Sequence, residues 1–182
     1  MARLIEKLNI VDIEATCWDG TPPEGQSSEI IEIGLYQLDL NYRYTDKDPN
    51  KCGILIKPVN STVSEFCTKL TTLTPYKLRN GKTLWDACTI LMEQYETKEH
   101  VWASWGDYDR GMFEKQCKKL YIPYPFGSRH INLKTLFAIK HKLSKEVGVA
   151  KALEILSMKF EGTPHRGVDD AYNIARIARE IL

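Results

Sequence analysis

The chain has 182 residues with 25 Lys+Arg against 24 Asp+Glu, a net charge of +1, so charge alone does not hold it on nucleic acid. A hydrophobic fraction of 43% with 27% charged residues excludes disordered, collagen-like and coiled-coil classes and predicts one folded domain over residues 1–182. Five scattered cysteines (Cys17, Cys52, Cys67, Cys88, Cys117) form no C-x-x-C pair, which argues against a disulfide framework or zinc knuckle and for a reducing, cytoplasmic setting. They read as small core residues. Asp12 and Glu14 interrupt the short apolar run of the N-terminus before a signal sequence or membrane span is complete, so no membrane contact is expected.

In chain order, residues 8–13 and 29–40 are β-branched and apolar and predict two paired strands around a Gly/Pro/Ser-rich loop, 19–28. Lys51 to Lys57 predicts a third strand before Pro58, making the first third an antiparallel meander. Thr62-Val-Ser-Glu65 has capping-box spacing for a short helix through Leu70. Pro75 and Asn80-Gly81 punctuate the next stretch, and Thr83 caps a helix to about Glu96. His100 to Trp105 predicts a strand, and Tyr108 to Leu120 a helix with Met112, Phe113, Gln116, Cys117 and Leu120 inward. Ile131 and Leu133 begin a short strand or turn, followed by helices near 135–142 and 149–157. Ala171, Ile174, Ala175, Ala178, Ile181 and Leu182 mark a final amphipathic helix. This order predicts an α/β fold, a mixed sheet flanked by helices.

Three acidic features stand out. Asp12 and Glu14 lie two apart in an apolar strand and share a face, an arrangement costly when covered unless a divalent cation relieves it. A strand end with both carboxylates in water is the structural alternative. His165-Arg-Gly-Val-Asp-Asp170 opens the last helix, where Asp169 and Asp170 would also suit the helix dipole, with His165 then a plain loop residue. Trp105-Gly-Asp107-Tyr-Asp109 joins a strand to a helix, and Asp107 reads as its N-cap. One metal centre accounts for all three features more economically than three separate capping or solvation roles.

These residues resemble the DEDDh group of 3′-to-5′ exonucleases, which have the ribonuclease H-like fold, over nearly the whole chain. The motifs are Asp12-Ile-Glu14-Ala-Thr-Cys-Trp18 with Glu29-Ile-Ile-Glu-Ile-Gly34, Tyr108-Asp109-Arg-Gly-Met-Phe113, and His165-Arg-Gly-Val-Asp-Asp170. Ser64-Glu-Phe-Cys67 and Ile131-Asn-Leu-Lys134 are similar to the subgroup of histone-mRNA 3′ exonuclease-like enzymes. The resemblance implies a sheet whose first three strands are antiparallel and whose remaining strands are parallel. It implies Asp12, Glu14, Asp109 and Asp170 as ligands of two divalent ions, Mg²⁺ or Mn²⁺, and His165 as general base. It also implies nucleotide contacts from Ala15, Thr16, Phe66, Leu70, Tyr108 and His165, with Tyr108 standing where the subgroup has a tryptophan. The implied partner is the 3′ end of single-stranded RNA, with DNA as the alternative polymer, and no obligate protein partner.

Such a site would release nucleoside 5′-monophosphates, the histidine taking the proton of the attacking water. Subgroup members acting on structured histone mRNA carry an extra nucleic-acid-binding segment ahead of the nuclease. Its absence from this sequence makes short or weakly held substrates the expectation. A carboxylate-pair glycosidase gives His165 and Asp170 no role, and a silent binding module leaves the five catalytic residue types unexplained. Lys115/Lys118/Lys119 and Lys134/Lys140/Lys142/Lys145 read as solvated helix faces rather than phosphate tracks.

Overall fold

The computed structural model describes residues 5–41 and 51–182; the first four residues of the N-terminal run lie outside it. The elements are β1 (Lys7–Ala15), β2 (Ile30–Asp39), β3 (Lys51–Leu55), α1 (Glu65–Thr71), α2 (Pro75–Leu78), α3 (Leu84–Gln94), β4 (Val101–Ser104), α4 (Tyr108–Leu120), β5 (His130–Asn132), α5 (Leu133–Lys140), α6 (Val149–Ile155) and α7 (Gly167–Ile181). The sheet order is β3-β2-β1-β4-β5. β1 and β3 each pair antiparallel with β2, whereas β4 is parallel to both β1 and β5, which is the mixed α/β arrangement expected.

β1 is central and covered on both faces, which is why it reads as a near-continuous apolar run. Leu8 and Ile10 join Tyr36 and Leu38 of β2 against Ala171, Ile174, Ala175, Ala178 and Ile181 of α7. Val11 and Ile13 face the other way, toward Leu84, Ala87 and Leu91 of α3 and Met112 and Phe113 of α4. Because side chains alternate along a strand, Asp12 and Glu14 continue the row of Leu8 and Ile10 and emerge on the α7 side. Burial of the α7 stripe thus fixes where the two carboxylates point.

Several boundaries differ from the expectation. β1 runs to Ala15, two residues further than the apolar run indicates, and so carries both acids inside the ladder with β2. β3 stops at Leu55, leaving Ile56 as a single parallel bridge to Lys82. Thr62 does not cap α1: its hydroxyl and N–H both bond Gln26 Oε1, and Ser64, three residues before Cys67, accepts from the Cys67 N–H at 2.9 Å instead. Thr83 does cap α3, in a reciprocal box with Asp86. Pro75 opens the single turn of α2 after the Thr74 cap, since a missing N–H costs nothing at that position. α5 begins at Leu133, earlier than residue 135, under an Asn132 cap. Leu120 and Leu182 sit at helix ends beyond the sheet and remain 38% and 57% exposed. Among the described residues no helix is long and apolar enough to cross a membrane.

Candidate active site

The C-terminal end of β1 meets the first turns of two helices. Asp12, Glu14 and Asp170 each offer a carboxylate oxygen, all within 4.8 Å of one another. Asp170 comes from the first turn of α7 and accepts from the Arg166 N–H at 3.1 Å. Asp109 arrives from α4 on the opposite face of the sheet. The parallel β1/β4 ladder ends at Ile10 opposite Ala103, so the Ile13 N–H is left for Asp109, whose Oδ1 accepts from it at 3.0 Å. Asp109 is therefore a buried neighbour of the triad rather than one of its converging oxygens.

Burial raises all four acids, and neighbouring carboxylates add to it at Asp12, Glu14 and Asp170. Burial first, then the charges of Asp109, Asp170, Glu14 and Glu32, push Asp12 well above the usual carboxylate range. Burial, followed by Asp170, Glu32 and Asp109, lifts Glu14 to about 8, against a downward pull from Arg166. Burial lifts Asp109 to about 6 despite the Ile13 N–H, and Asp170 to about 6 despite the N–H groups of His165 and Arg166. Hard oxygen donors, gathered and partly stripped of water, fit a divalent cation, which would remove the repulsion holding these groups high.

His165 lies four residues before α7's first carboxylate, Asp169, and five before Asp170. It is exposed and adopts a left-handed backbone, φ +59°. Its loop is held from several sides. Gly162, at φ +92°, packs where a Cβ would lie 2.4 Å from the Asp169 carboxyl carbon. Asp169 accepts from the Thr163 N–H and pairs with Lys51. Asp107 occupies the N-cap position of α4 but not the capping role: its backbone is already near helical, and its Oδ2 instead accepts from Asn132 Nδ2 at 2.9 Å.

The residues expected to contact a nucleotide divide into two groups. α1 docks on the end of β1 through Ser64 Oγ to the Cys17 carbonyl, 2.6 Å, and Cys67 Sγ to the Ala15 carbonyl, 3.6 Å. This leaves Phe66 and Leu70, one turn apart, 41% and 36% exposed beside the carboxylates' strand. Tyr108 is exposed at the start of α4, with its phenol raised by burial and then by Asp109, Cys17 and Glu14. Ala15 and Thr16 are buried; the Thr16 hydroxyl accepts from the Glu29 N–H at 2.9 Å, the Thr16 N–H bonds the Glu29 carbonyl and the Ala15 carbonyl accepts from Cys67 Sγ. Of the two lysine clusters, Lys140 bonds the Ile181 carbonyl and Lys134 faces Glu146, whereas Lys115, Lys118 and Lys119 are exposed along α4.

Two supporting residues carried no role in the sequence reading. Glu32, 1% exposed, pairs through both carboxylate oxygens with Arg166. The signal was an acid at the centre of the apolar run Ile30 to Leu35. Glu29, also buried, accepts from the N–H groups of Val59, Asn60 and Ser61 and fixes the approach to α1.

Comparison with known proteins agrees with this geometry. The family model described as "Exonuclease" (RNase_T) matches residues 10–178. The chain is 30% identical over 183 residues to human "3′-5′ exoribonuclease 1", covering 95% of this chain and 51% of that protein. It is 26% identical to the Drosophila melanogaster "3′-5′ exonuclease Snipper", over 92% of this chain and 66% of that one. The chain thus spans about half the length of the first of these relatives. Among solved structures, the nuclease domain of 3′hExo, described as a DEDDh family member bound to rAMP, superposes with a TM-score of 0.83 at 28% identity, covering 97% of this chain and 91% of that one. A structure described as 3′-end specific recognition of histone mRNA stem-loop by 3′-exonuclease gives 0.82 at 27% identity, over 97% and 63%.

Proposed function

The chain belongs to the exonuclease family, in its DEDDh group with the ribonuclease H-like fold, and on that premise we propose that it removes nucleoside 5′-monophosphates stepwise from the 3′ end of single-stranded RNA. The observation that carries this reading is the convergence of Asp12, Glu14 and Asp170 within 4.8 Å at the foot of the His165 loop. With Asp109 they would hold two divalent ions, Mg²⁺ or Mn²⁺. Bound there, such ions supply Lewis-acid stabilisation of the attacking and leaving oxygens of a phosphodiester displacement.

The protein's own groups do the remainder. A nitrogen of His165 accepts the proton of the attacking water, and the exposed loop lets the ring reach that water once substrate is in place. Phe66, Leu70 and Tyr108 give the terminal nucleotide apolar and aromatic surface. Stacking accepts every base face and is worth about 1–3 kcal/mol per base, so base selectivity is loose. The N-terminal turns of α4 and α7 point their positive ends at the carboxylates, which suits a site that must also admit phosphate.

The test is a rate series on RNA and DNA oligonucleotides of increasing length with Mg²⁺ or Mn²⁺, following release of the 3′-terminal nucleotide. Asp12→Ala and Asp170→Ala abolish turnover, whereas His165→Ala lowers the rate and alters its pH dependence more than its metal affinity. Full Mn²⁺-dependent activity in Asp12→Ala would falsify the assignment, and faster turnover of DNA than RNA at every length would reverse the preferred polymer.

A further inference from the structure

Glu32 is an acid in the middle of a covered strand, and nothing in the proposed chemistry uses it. Its partner in the β1/β2 register is Glu14, so it lies on the α7 face of the sheet beside the carboxylate cluster. A buried carboxylate there adds repulsion to Asp12 and Glu14, a cost that calls for a compensating role. Its oxygens are fully engaged elsewhere: Oε2 accepts from Arg166 Nε at 3.0 Å and from the Gly167 N–H at 3.0 Å, and Oε1 from Arg166 Nη2 at 2.8 Å. Helix α7 has no side-chain cap of its own at Arg166, and Glu32 supplies that cap from another strand.

Both bonded residues directly follow His165 in sequence. His165 holds a left-handed backbone, φ +59°, and the His165 and Arg166 N–H groups bond Asp170, so its direction depends on how the residues after it are held. The fork on Arg166 and the bond to the Gly167 N–H fix the next two residues in position and direction. Gly167 itself packs against the backbone of β2, where a Cβ on Gly34 would lie 1.9 Å from its carbonyl oxygen. Glu32 thereby ties the end of the His165 loop to β2, alongside the contacts that Asp169 and Asp170 make with the same loop.

We propose that Glu32 is a positioning residue of the exonuclease reaction, acting through Arg166 and Gly167 to aim His165. The proposal rests on His165 being the general base. A double-mutant cycle separates the two ideas. Glu32→Gln keeps the side-chain shape but places an amide N–H₂ where one oxygen accepted. In the parent it lowers kcat by about 10–100-fold, the usual effect of removing an orienting partner, with KM and Mn²⁺ affinity nearly unchanged. In the His165→Ala background it changes kcat by less than about twofold, because there is no longer a base to aim. Arg166→Lys, which keeps the charge and loses the two-pronged geometry, repeats the cycle from the loop side. It carries the test if thermal melting shows Glu32→Gln to be unfolded.

Equal losses in both backgrounds, or a raised KM or weakened Mn²⁺ binding as the main effect, overturn the positioning role and make Glu32 a support of the fold or the carboxylate cluster. A parent-like rate in His165→Ala overturns the base assignment itself, and the positioning role with it.

Discussion

Neutralising Glu14 should stabilise the metal-free protein while removing its activity. Glu14 is held at about 8 against an ordinary 4.5, chiefly by burial and then by Asp170, Glu32 and Asp109. A raised folded-state pKa means that this group's stabilising contribution is complete below its unfolded value and is lost as pH rises through the folded one. For Glu14 the window runs from 4.5 to about 8. Asp109 and Asp170, both at about 6 from an ordinary 3.8, lose theirs lower in the same direction. At 1.36 kcal/mol per decade the ceiling for Glu14 is roughly 5 kcal/mol, and a partly hydrated carboxylate delivers less, about 2 kcal/mol at pH 8. For a chain of this size that is a Tm gain of about 4–8 °C for Glu14→Gln. The assay is thermal unfolding in chelator from pH 5 to pH 9. The parent's Tm falls as the pH rises, the variant's falls less, and the two converge near pH 5. A variant melting at or below the parent at pH 8, or a gap that persists on acidification, refutes the charge-conflict account.

Two other perturbations test the surroundings of the site. Gly34→Ala puts a methyl group 1.9 Å from the Gly167 carbonyl oxygen, so β2 and the start of α7 must separate. Differential scanning calorimetry should show a Tm loss of about 2–12 °C, from a strain of about 1–3 kcal/mol, together with reduced turnover. Phe66→Ala combined with Leu70→Ala removes exposed apolar surface, so Tm is nearly unchanged, while KM on a single-stranded oligonucleotide rises about tenfold for one lost stacking contact and kcat moves little. A kcat loss with unchanged KM would place the terminal nucleotide elsewhere.

The acid pair of β1 was legible because strand periodicity is a local rule, and the Leu8/Ile10 face that it extends is visible in the same few residues. The bounds of helix α4 were legible to the residue, since its apolar spacing and the Gly106-Asp107 step before it are both local. The role of Asp109 at Ile13 was not, because it depends on where the β1/β4 ladder stops, a property of two strands about ninety residues apart. Thr62 misled for a related reason: its spacing to Glu65 suits a cap, but Gln26 from a distant loop claims its hydroxyl, and Ser64 competes for the helix start. Asp107 sits where a cap should sit and turns to Asn132 of β5 instead. Glu32 was present in the motif and carried no role, since only the arrival of α7 on β2 shows what it bonds.

These long-range bonds explain how a chain of net charge +1 tolerates a dense local concentration of acid. Asp12, Glu14, Asp109, Asp170 and Glu32 lie close together, and among the described residues they are offset by the Arg166 guanidinium, the Ser104 side chain at Asp109, two helix N-termini and a few backbone N–H groups. Arg166 is paired with Glu32 and lowers Glu14 only in part, so in the metal-free protein the cluster relieves its repulsion by retaining protons, with Glu14 held up to about 8. A divalent cation bound there would displace those protons, so metal affinity rises with pH, and the cation's positive charge would then serve an anionic phosphate. Substrate affinity should therefore depend on divalent metal far more steeply than on the basic faces of α4 and α5.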